Sequence, residues 1–416
     1  MILRAPLVLP IDAPPLFDGA VAVEDDRIVA IGSAQDVEKI PLKDSSSLDL
    51  PGSALLPGLV NAHSHLELTS LNDLSYPGIF SEWIGKVVER KPKVSEEDYQ
   101  KGILQGVQWM LKTGTTTVGD HVSFNTDLET ILSSPLRGVL FVEVLGVVKE
   151  VAEDLLKSAE GLEKIYGDHP RFRVVASPHS AHAVNPEILP RLFSKDRPVF
   201  SIHLGESEDE DLYFRKQSGP LYDFIRKRIA DRSPLPAKDP KILSSLQMLQ
   251  RLNLLSSKVM AVHCNYLDET DFDLIAQNQI SVVHCPSSHA YFGHRPFPLN
   301  AFRQRGVNIA LGTDSLASGH TLSMLDELRL ARRNYPEITA EEWVRMATLG
   351  GAKALKMEGE IGSLTPGKKA DLIAFSLPGG KDRLADVYGE VLKAERVHFT
   401  MIDGKTISEG TDRKNS

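Results

Sequence analysis

The spacing of apolar and polar positions divides the chain into β-rich ends and an alternating middle. Residues 1 to 54 carry short alternating runs, ILRAPLVL and AVAVEDDRIVAIG, with Asp25 and Asp26 placed between two apolar stretches as in a hairpin turn. The last fifty residues read the same way. ADLIAFSL alternates as a strand, and Asp403-Gly404 between VHFTMI and KTIS is a strong hairpin signal. Neither end holds enough apolar surface to fold alone. The pattern therefore predicts one small β domain assembled from 1–56 and 357–416, with the middle of the chain inserted into it.

The middle, 57–356, alternates apolar strands with amphipathic helices, the pattern of parallel βα units. One helix is predicted from Ser95, where Ser-Glu-Glu-Asp supplies an N-cap and an acidic first turn. Apolar residues then recur at Ile103, Leu104, Val107, Met110 and Leu111, and Gly114 ends the run. Strands are predicted at 115–120, 139–146, 173–179, 198–206, 258–264, 280–285 and 307–314. The apolar stretch from Leu55 to Leu68, LLPGLVNAHSHLEL, supplies the first and makes eight. Eight βα units predict an α/β fold of the (β/α)8 TIM-barrel type, with its chemistry at the C-terminal strand ends.

Polar residues do fall at those ends: His63 and His65 on the first strand, His179 on the fourth, His203 on the fifth, His263 on the sixth, His284 on the seventh and Asp314 on the eighth. With only 13 histidines in 416 residues, this placement points to a site. Alternation puts His63 and His65 on one face of their strand. That pair alone fits a half-exposed polar strand as well as a metal site. The residues at the other strand ends tip the balance to metal.

Composition narrows the class. Hydrophobic content of 42% and charged content of 25% are ordinary for a globular protein, and the net charge of −9 argues against a nucleic-acid footprint or an anionic membrane surface. Arg4, Pro6, Pro10 and Asp12 interrupt the apolar N-terminus, so no signal or membrane-spanning segment is read there. The two cysteines, Cys264 and Cys285, make no disulfide framework and suggest a reducing cytoplasm; each follows a strand-end histidine and is expected to face the other way and pack. The sharpest compositional shift is Glu206 to Lys241, a mixed-charge excursion with Pro234 and Pro236, readable as a lid over the mouth or as a solvated surface helix.

The motifs PGLVNAHSH, HLGE, VHC and GTDS, in this order at barrel-like spacing, resemble the amidohydrolase superfamily, and within it the single-metal nucleoside and nucleobase deaminases. The likeness extends over nearly the whole chain, including the split β domain, which it implies to be a β-sandwich. NAHSHLELTSL, GIFSEWIGKV, FVEVLG, HLGESEDEDLYFRKQSGPLYDFI and SMLDELRLA are more narrowly similar to aminodeoxyfutalosine deaminases of the alternative menaquinone pathway.

The resemblance implies one divalent metal held by His63, His65, His203 and Asp314. Zn²⁺ is the first choice and Fe²⁺ the second. Two-metal relatives use a modified lysine on the fourth strand, and RVVASPHSAH has none. The implied reaction is attack at C6 of an adenine-type nucleoside by hydroxide supplied at the metal. Asp314 takes the water proton, His263 holds or polarises the attacking oxygen, and Glu206 protonates the ring nitrogen. Trp83, His179, Glu206, His284 and His289 are the implied substrate contacts. His289 stands where the wider branch carries asparagine. His121, His182 and His294 are read as structural or solvent-facing.

The expected substrate is 6-amino-6-deoxyfutalosine. Adenosylhomocysteine, methylthioadenosine, another aminated heterocycle or a chlorotriazine is the alternative within enzymes. A barrel that has lost catalysis and serves in assembly is the alternative outside them, though such relatives lack ligands that are all present here. No nucleic-acid or membrane partner is expected, and a homodimer stays open.

Overall fold

The computed structural model describes residues 1–416 apart from 45, 77, 124–127, 194–195, 230–241, 378–385 and 410–416. Strands from both ends of the chain lie in one sheet. Its order is Lys405–Glu409, Phe399–Ile402, Leu372–Ser376, Ser53–Pro57, Ile2–Val8, Leu16–Glu24 and Arg27–Ser33, with Ser47–Asp49 also beside Ile2–Val8. The turns are where the sequence places them. Asp25 (φ 53°) joins Leu16–Glu24 to Arg27–Ser33, and Asp403 (φ 51°) with Gly404 (φ 69°) closes the last hairpin in the left-handed geometry that matches strand twist. Residues of six of these strands share one apolar cluster, among them Leu3, Val21, Ile28, Leu55, Leu372 and Phe399.

The middle of the chain forms two four-stranded parallel sheets. Leu59–Ser64, Thr115–Val122, Arg137–Val144 and Phe172–Pro178 make one; Phe200–Leu204, Val259–His263, Ser281–His284 and Ile309–Leu311 make the other. The two sheets are joined at both edges. The N–H groups of Thr313 and Asp314 donate to the His63 carbonyl at 3.0 and 3.1 Å, and Asn61 Nδ2 donates to Thr313 Oγ1 at 2.7 Å. At the other edge the His203 N–H donates to the His179 carbonyl at 2.9 Å, and Ser201 N–H to Ser177 Oγ at 2.9 Å.

An inner cluster takes one or two side chains from six of the eight strands, Val60, Phe141, Val175, Met260, Val262, Val283 and Ala310 among them, with Val199 and Cys285 beside strand ends. The alternate residues face outward into the helix-covered core. The helix Glu96–Lys112 shows why it does so: Ser95 Oγ caps it by accepting from Asp98 N–H, and Ile103, Val107 and Met110 recur on its buried face.

One sequence expectation needs correction. The run from Leu55 to Leu68 is not one strand. Ser53–Pro57 pairs antiparallel with Leu372–Ser376 in the terminal sheet, and Leu59–Ser64 opens the parallel set. The chain changes partners at Pro57-Gly58: Gly58 N–H donates to Asp371 O, and Leu59 N–H to Gly114 O. A Cβ at Gly58 would lie 1.9 Å from Thr116 Oγ1, so only glycine lets the chain pass between the sheets there. The excursion after the fifth parallel strand holds two helices, Glu208–Lys216 and Pro220–Ile229; its continuation with Pro234 and Pro236 lies outside the described residues. Leu221 and Ile225 cluster with Ile84 of the helix Phe80–Arg90, so the excursions after the first and fifth strands pack on each other.

Candidate active site

Four side chains meet where the sequence analysis put a metal. His65 Nε2 lies 3.4 Å from His203 Nε2, and Asp314 Oδ1 lies 3.7 Å from His63 Nε2 and 3.8 Å from His65 Nε2. Two nitrogens about 2.0–2.1 Å from a tetrahedral zinc are about 3.4 Å apart, so the spacing suits one ion. His203 Nδ1 sits 2.7 Å from the His179 carbonyl, which fixes the ring and leaves Nε2 free as a donor. Both ring nitrogens of His63 are buried with no hydrogen-bond partner among the described residues. Buried polar atoms left in this way call for an ion or a water. The donor set fits a divalent metal.

The electrostatics agree with neutral imidazoles around one carboxylate. Burial, then the neighbouring imidazoles of His203 and His65, hold His63 well below its ordinary range. Burial and the charge at His179 push His203 down to about 3. For Asp314 burial works against the charge, but His263, His65 and the Ser288 hydroxyl outweigh it and keep its carboxyl below the ordinary range. Neutral nitrogens and an ionised oxygen are the states that bind metal.

His263 reaches the site by a backbone reversal. Met260 and Val262 face the inner cluster, so alternation would send His263 outward. Left-handed conformations at His263 (φ 72°) and Cys264 (φ 54°) turn the imidazole in, with its ring centroid 5.4 Å from that of His203 and 5.5 Å from that of His63, and send Cys264 into the outer core. Asp314 also has positive φ, 58°. Such conformations in non-glycine residues are costly and cluster at functional sites.

Glu206 lies beyond the fifth strand with Oε1 3.5 Å from His263 Nε2. Burial, followed by the charges of Asp314 and Glu210, raises its carboxyl well above the ordinary range. Glu210 fixes the backbone beside it, accepting the N–H groups of Gly205 and Glu206 at 2.9 Å each. Ser207 and Glu210 follow the Ser-x-x-Glu spacing of a helix start, a signal the sequence carried.

His179 stands at the rim, its ring 4.6 Å from that of His203 and its side chain 30% exposed. Its Nδ1 is 2.7 Å from Glu143 Oε1. Burial opposes charge on both, yet their attraction prevails: Glu143 falls well below the carboxylate range and His179 rises above the imidazole range. Glu143 lies within FVEVLG and was not singled out from the sequence.

The remaining expected contacts are placed unevenly. Trp83 is buried against Phe80 and Phe292, and its Nε1 donates to the Ala317 carbonyl at 3.0 Å. His284 is not brought to the metal cluster. Val283 and Cys285 face inward, so His284 faces out, stacked on Phe297 at 4.1 Å. For this pair the cysteine takes the inner position, opposite the histidine, and packs in the inner cluster. His289 Nε2 is 2.8 Å from the Arg295 carbonyl, and its ring lies between those of His284 and His294. His182 is buried with Nε2 3.2 Å from Ser180 Oγ. His121 does not face solvent: it is fully buried, with its ring 4.4 Å from that of His63.

Among the described residues no helix is long and apolar enough to cross a membrane. The amidohydrolase family model matches residues 54–407. A 5-methylthioadenosine/S-adenosylhomocysteine deaminase of Desulfitobacterium hafniense is 29% identical over 447 residues, spanning 100% of this chain and 97% of the relative. An adenosine deaminase from Xanthomonas campestris with bound zinc superposes with a TM-score of 0.83 at 26% identity, over 98% of this chain and 92% of that one. Helicobacter pylori aminofutalosine deaminase shares the fold, with a TM-score of 0.82 at 22% identity over 98% and 99% of the two chains.

Proposed function

The chain belongs to the amidohydrolase family, and from that premise we propose that it is a metal-dependent deaminase of an adenine-type nucleoside, with 6-amino-6-deoxyfutalosine as its substrate. The observation that carries the reading is Glu206, a largely enclosed carboxyl whose Oε1 lies 3.5 Å from His263 Nε2 beside Asp314, where burial raises it well above the ordinary carboxylate range. An amide-cleaving hydrolase needs the metal ligands but not a second, neutral carboxyl at the ring. Relatives of both kinds named above, the methylthioadenosine/adenosylhomocysteine and the adenosine deaminases, support an adenine-type substrate. The futalosine assignment rests on the sequence motifs.

In this reading His63, His65, His203 and Asp314 hold one ion, zinc first. When bound, such an ion lowers the pKa of a water in its open position to about 7. Asp314 would accept a proton from the attacking water, and His263 would orient its oxygen toward C6. Glu206 would give its proton to the adjacent ring nitrogen, making C6 electrophilic; Asp314 would pass its proton to the departing amine, which leaves as ammonia, and the proton of the new C6 hydroxyl would return to Glu206 as the carbonyl forms. His179, steadied by Glu143, faces the sugar, and Trp83 shapes the pocket wall.

We further read the two parallel sheets as one closed barrel over 57–356, which the hydrogen bonds at both edges support. The ends, 1–56 and 357–416, then form a separate unit curled into a sandwich around their common apolar cluster. Two buried free thiols, Cys264 and Cys285, fit a cytoplasmic setting.

Ammonia release over a panel of 6-aminopurine nucleosides, aminodeoxyfutalosine included, tests the assignment. Release is expected from at least one, fastest from aminodeoxyfutalosine. Release from none, with turnover of a non-purine amide, overturns it.

A further inference from the structure

We propose that His121 is an additional nitrogen ligand of the metal centre, binding a divalent transition ion through Nδ1. The proposal rests on the reading of His63 and His65 as ligands and extends it to a residue on the second parallel strand.

His121 is fully buried in Thr115–Val122, between Val118 and Val122, the latter pair packed in the outer core. Alternation at Val118 and Val122 therefore turns the His121 ring inward. The ring is clamped from two directions. Its Nε2 is 2.7 Å from Ser201 Oγ, and its face stacks on Phe141 at 4.9 Å and 23°. Ser201 is itself fixed, since its N–H donates to Ser177 Oγ at 2.9 Å and Ser177 Oγ donates to its carbonyl at 2.6 Å.

That clamp accounts for Nε2 and leaves Nδ1 buried with no hydrogen-bond partner among the described residues. A donor or acceptor shut away from water without a partner carries its full desolvation penalty, so a histidine held only for packing would be better replaced by an apolar residue. One ligating atom each from His63, His65 and His121 lie within 4.8 Å of one another, and the His121 ring is 5.3 Å from both His65 and His203. Coordination through Nδ1 requires the tautomer in which Nε2–H donates to Ser201 Oγ, and the 2.7 Å contact accommodates it. Imidazole at this position adds a nitrogen donor suited to Zn²⁺, Fe²⁺ or Co²⁺.

Zn²⁺ affinity by chelator competition, together with the visible absorption of the Co²⁺-substituted protein, tests the assignment in full-length wild type, His121→Phe and His63→Asn. His121→Gln, which retains a polar group for Ser201, replaces the phenylalanine variant should that one not fold. The expected result is a loss of affinity beyond the roughly 10–100-fold seen for outer-shell partners, with stronger Co²⁺ bands as the ligand number drops. Unchanged affinity and bands in a folded His121 variant, while His63→Asn loses the ion, make His121 a packing residue and overturn the proposal. Reduced affinity with unchanged bands overturns it equally, since His121 then acts from outside the ligand set. Should His63→Asn also keep the ion, the assignment of the metal site itself fails.

Discussion

Ser288 Oγ donates to Asp314 Oδ2 at 2.7 Å, which leaves Oδ1 turned toward His63 and His65. The two carboxylate oxygens thus have separate tasks. Ser288 lies in the helix Pro286–Phe292, whose start is anchored where Ser287 N–H donates to the buried Glu327 at 2.8 Å.

Ser288→Ala is therefore expected to preserve the fold while lowering metal affinity and kcat/KM about 10–100-fold, the usual cost of losing a partner behind a ligand. Metal titration and steady-state kinetics on the same preparation check this. Wild-type values for both would assign the orientation of Asp314 to its backbone alone.

Glu206→Gln is expected to keep the metal and lose at least about two decades of kcat, the scale of general acid catalysis. The wild-type rate should also fall on the alkaline side as the raised Glu206 carboxyl gives up its proton. Stability follows the same sign. The folded value lies above the unfolded value near 4.5, so the contribution is full below that pH and is lost as pH rises through the folded value. A glutamine cannot ionise, so the Tm of Glu206→Gln should gain on wild type as pH rises. A constant difference across the pH range would place the raised carboxyl elsewhere.

Gly312→Ala should damage the site from beneath. A Cβ there would lie 2.8 Å from both Cβ and the carbonyl oxygen of His63, so the ligand strand must shift. Overpacking of this kind costs about 1–3 kcal/mol. The expected outcome is a lower urea midpoint together with metal loss, and an unaltered metal content would show that His63 can move without consequence.

Arg137 joins the terminal sheet to the parallel strands: its Nε donates to Asp371 Oδ2 at 2.7 Å, and its Nη2 also pairs with Asp403. Arg137 and Asp371 are almost wholly buried. Arg137→Met leaves Asp371 without its cation, whereas Asp403 keeps Lys369 Nζ at 3.7 Å, and breaking a buried pair such as Arg137–Asp371 costs about 3–5 kcal/mol. Chemical denaturation should show that loss with little change in KM, because Arg137 opens the strand Arg137–Val144, whose opposite end carries Glu143 beside His179. A change in KM with wild-type stability would contradict this division.

The sequence by itself marked the candidate residues at strand ends and the order in which they occur. Hydrophobic periodicity marked the strands, since burial on a pleated face repeats every second residue, and histidines at strand ends marked the mouth. His63, His65, His203 and Asp314 were legible as strand-end residues for that reason, their choice as ligands coming from the family motifs, and the Asp25 and Asp403-Gly404 turns from their turn residues. Periodicity assigns a face only while the backbone stays regular. Only the tertiary structure decided that Pro57-Gly58 divides one apolar run between two sheets, because the exchange of partners from Asp371 to Gly114 leaves no mark on the apolar pattern. Left-handed φ at His263 turned that residue inward against the alternation, whereas His284, at the end of a regular strand, followed it outward. Glu143, Ser288 and His121 acquired their places through neighbours distant in sequence: His179, Asp314 and Ser201. Contacts of that kind arise from packing between strands, and local spacing along one strand does not encode them.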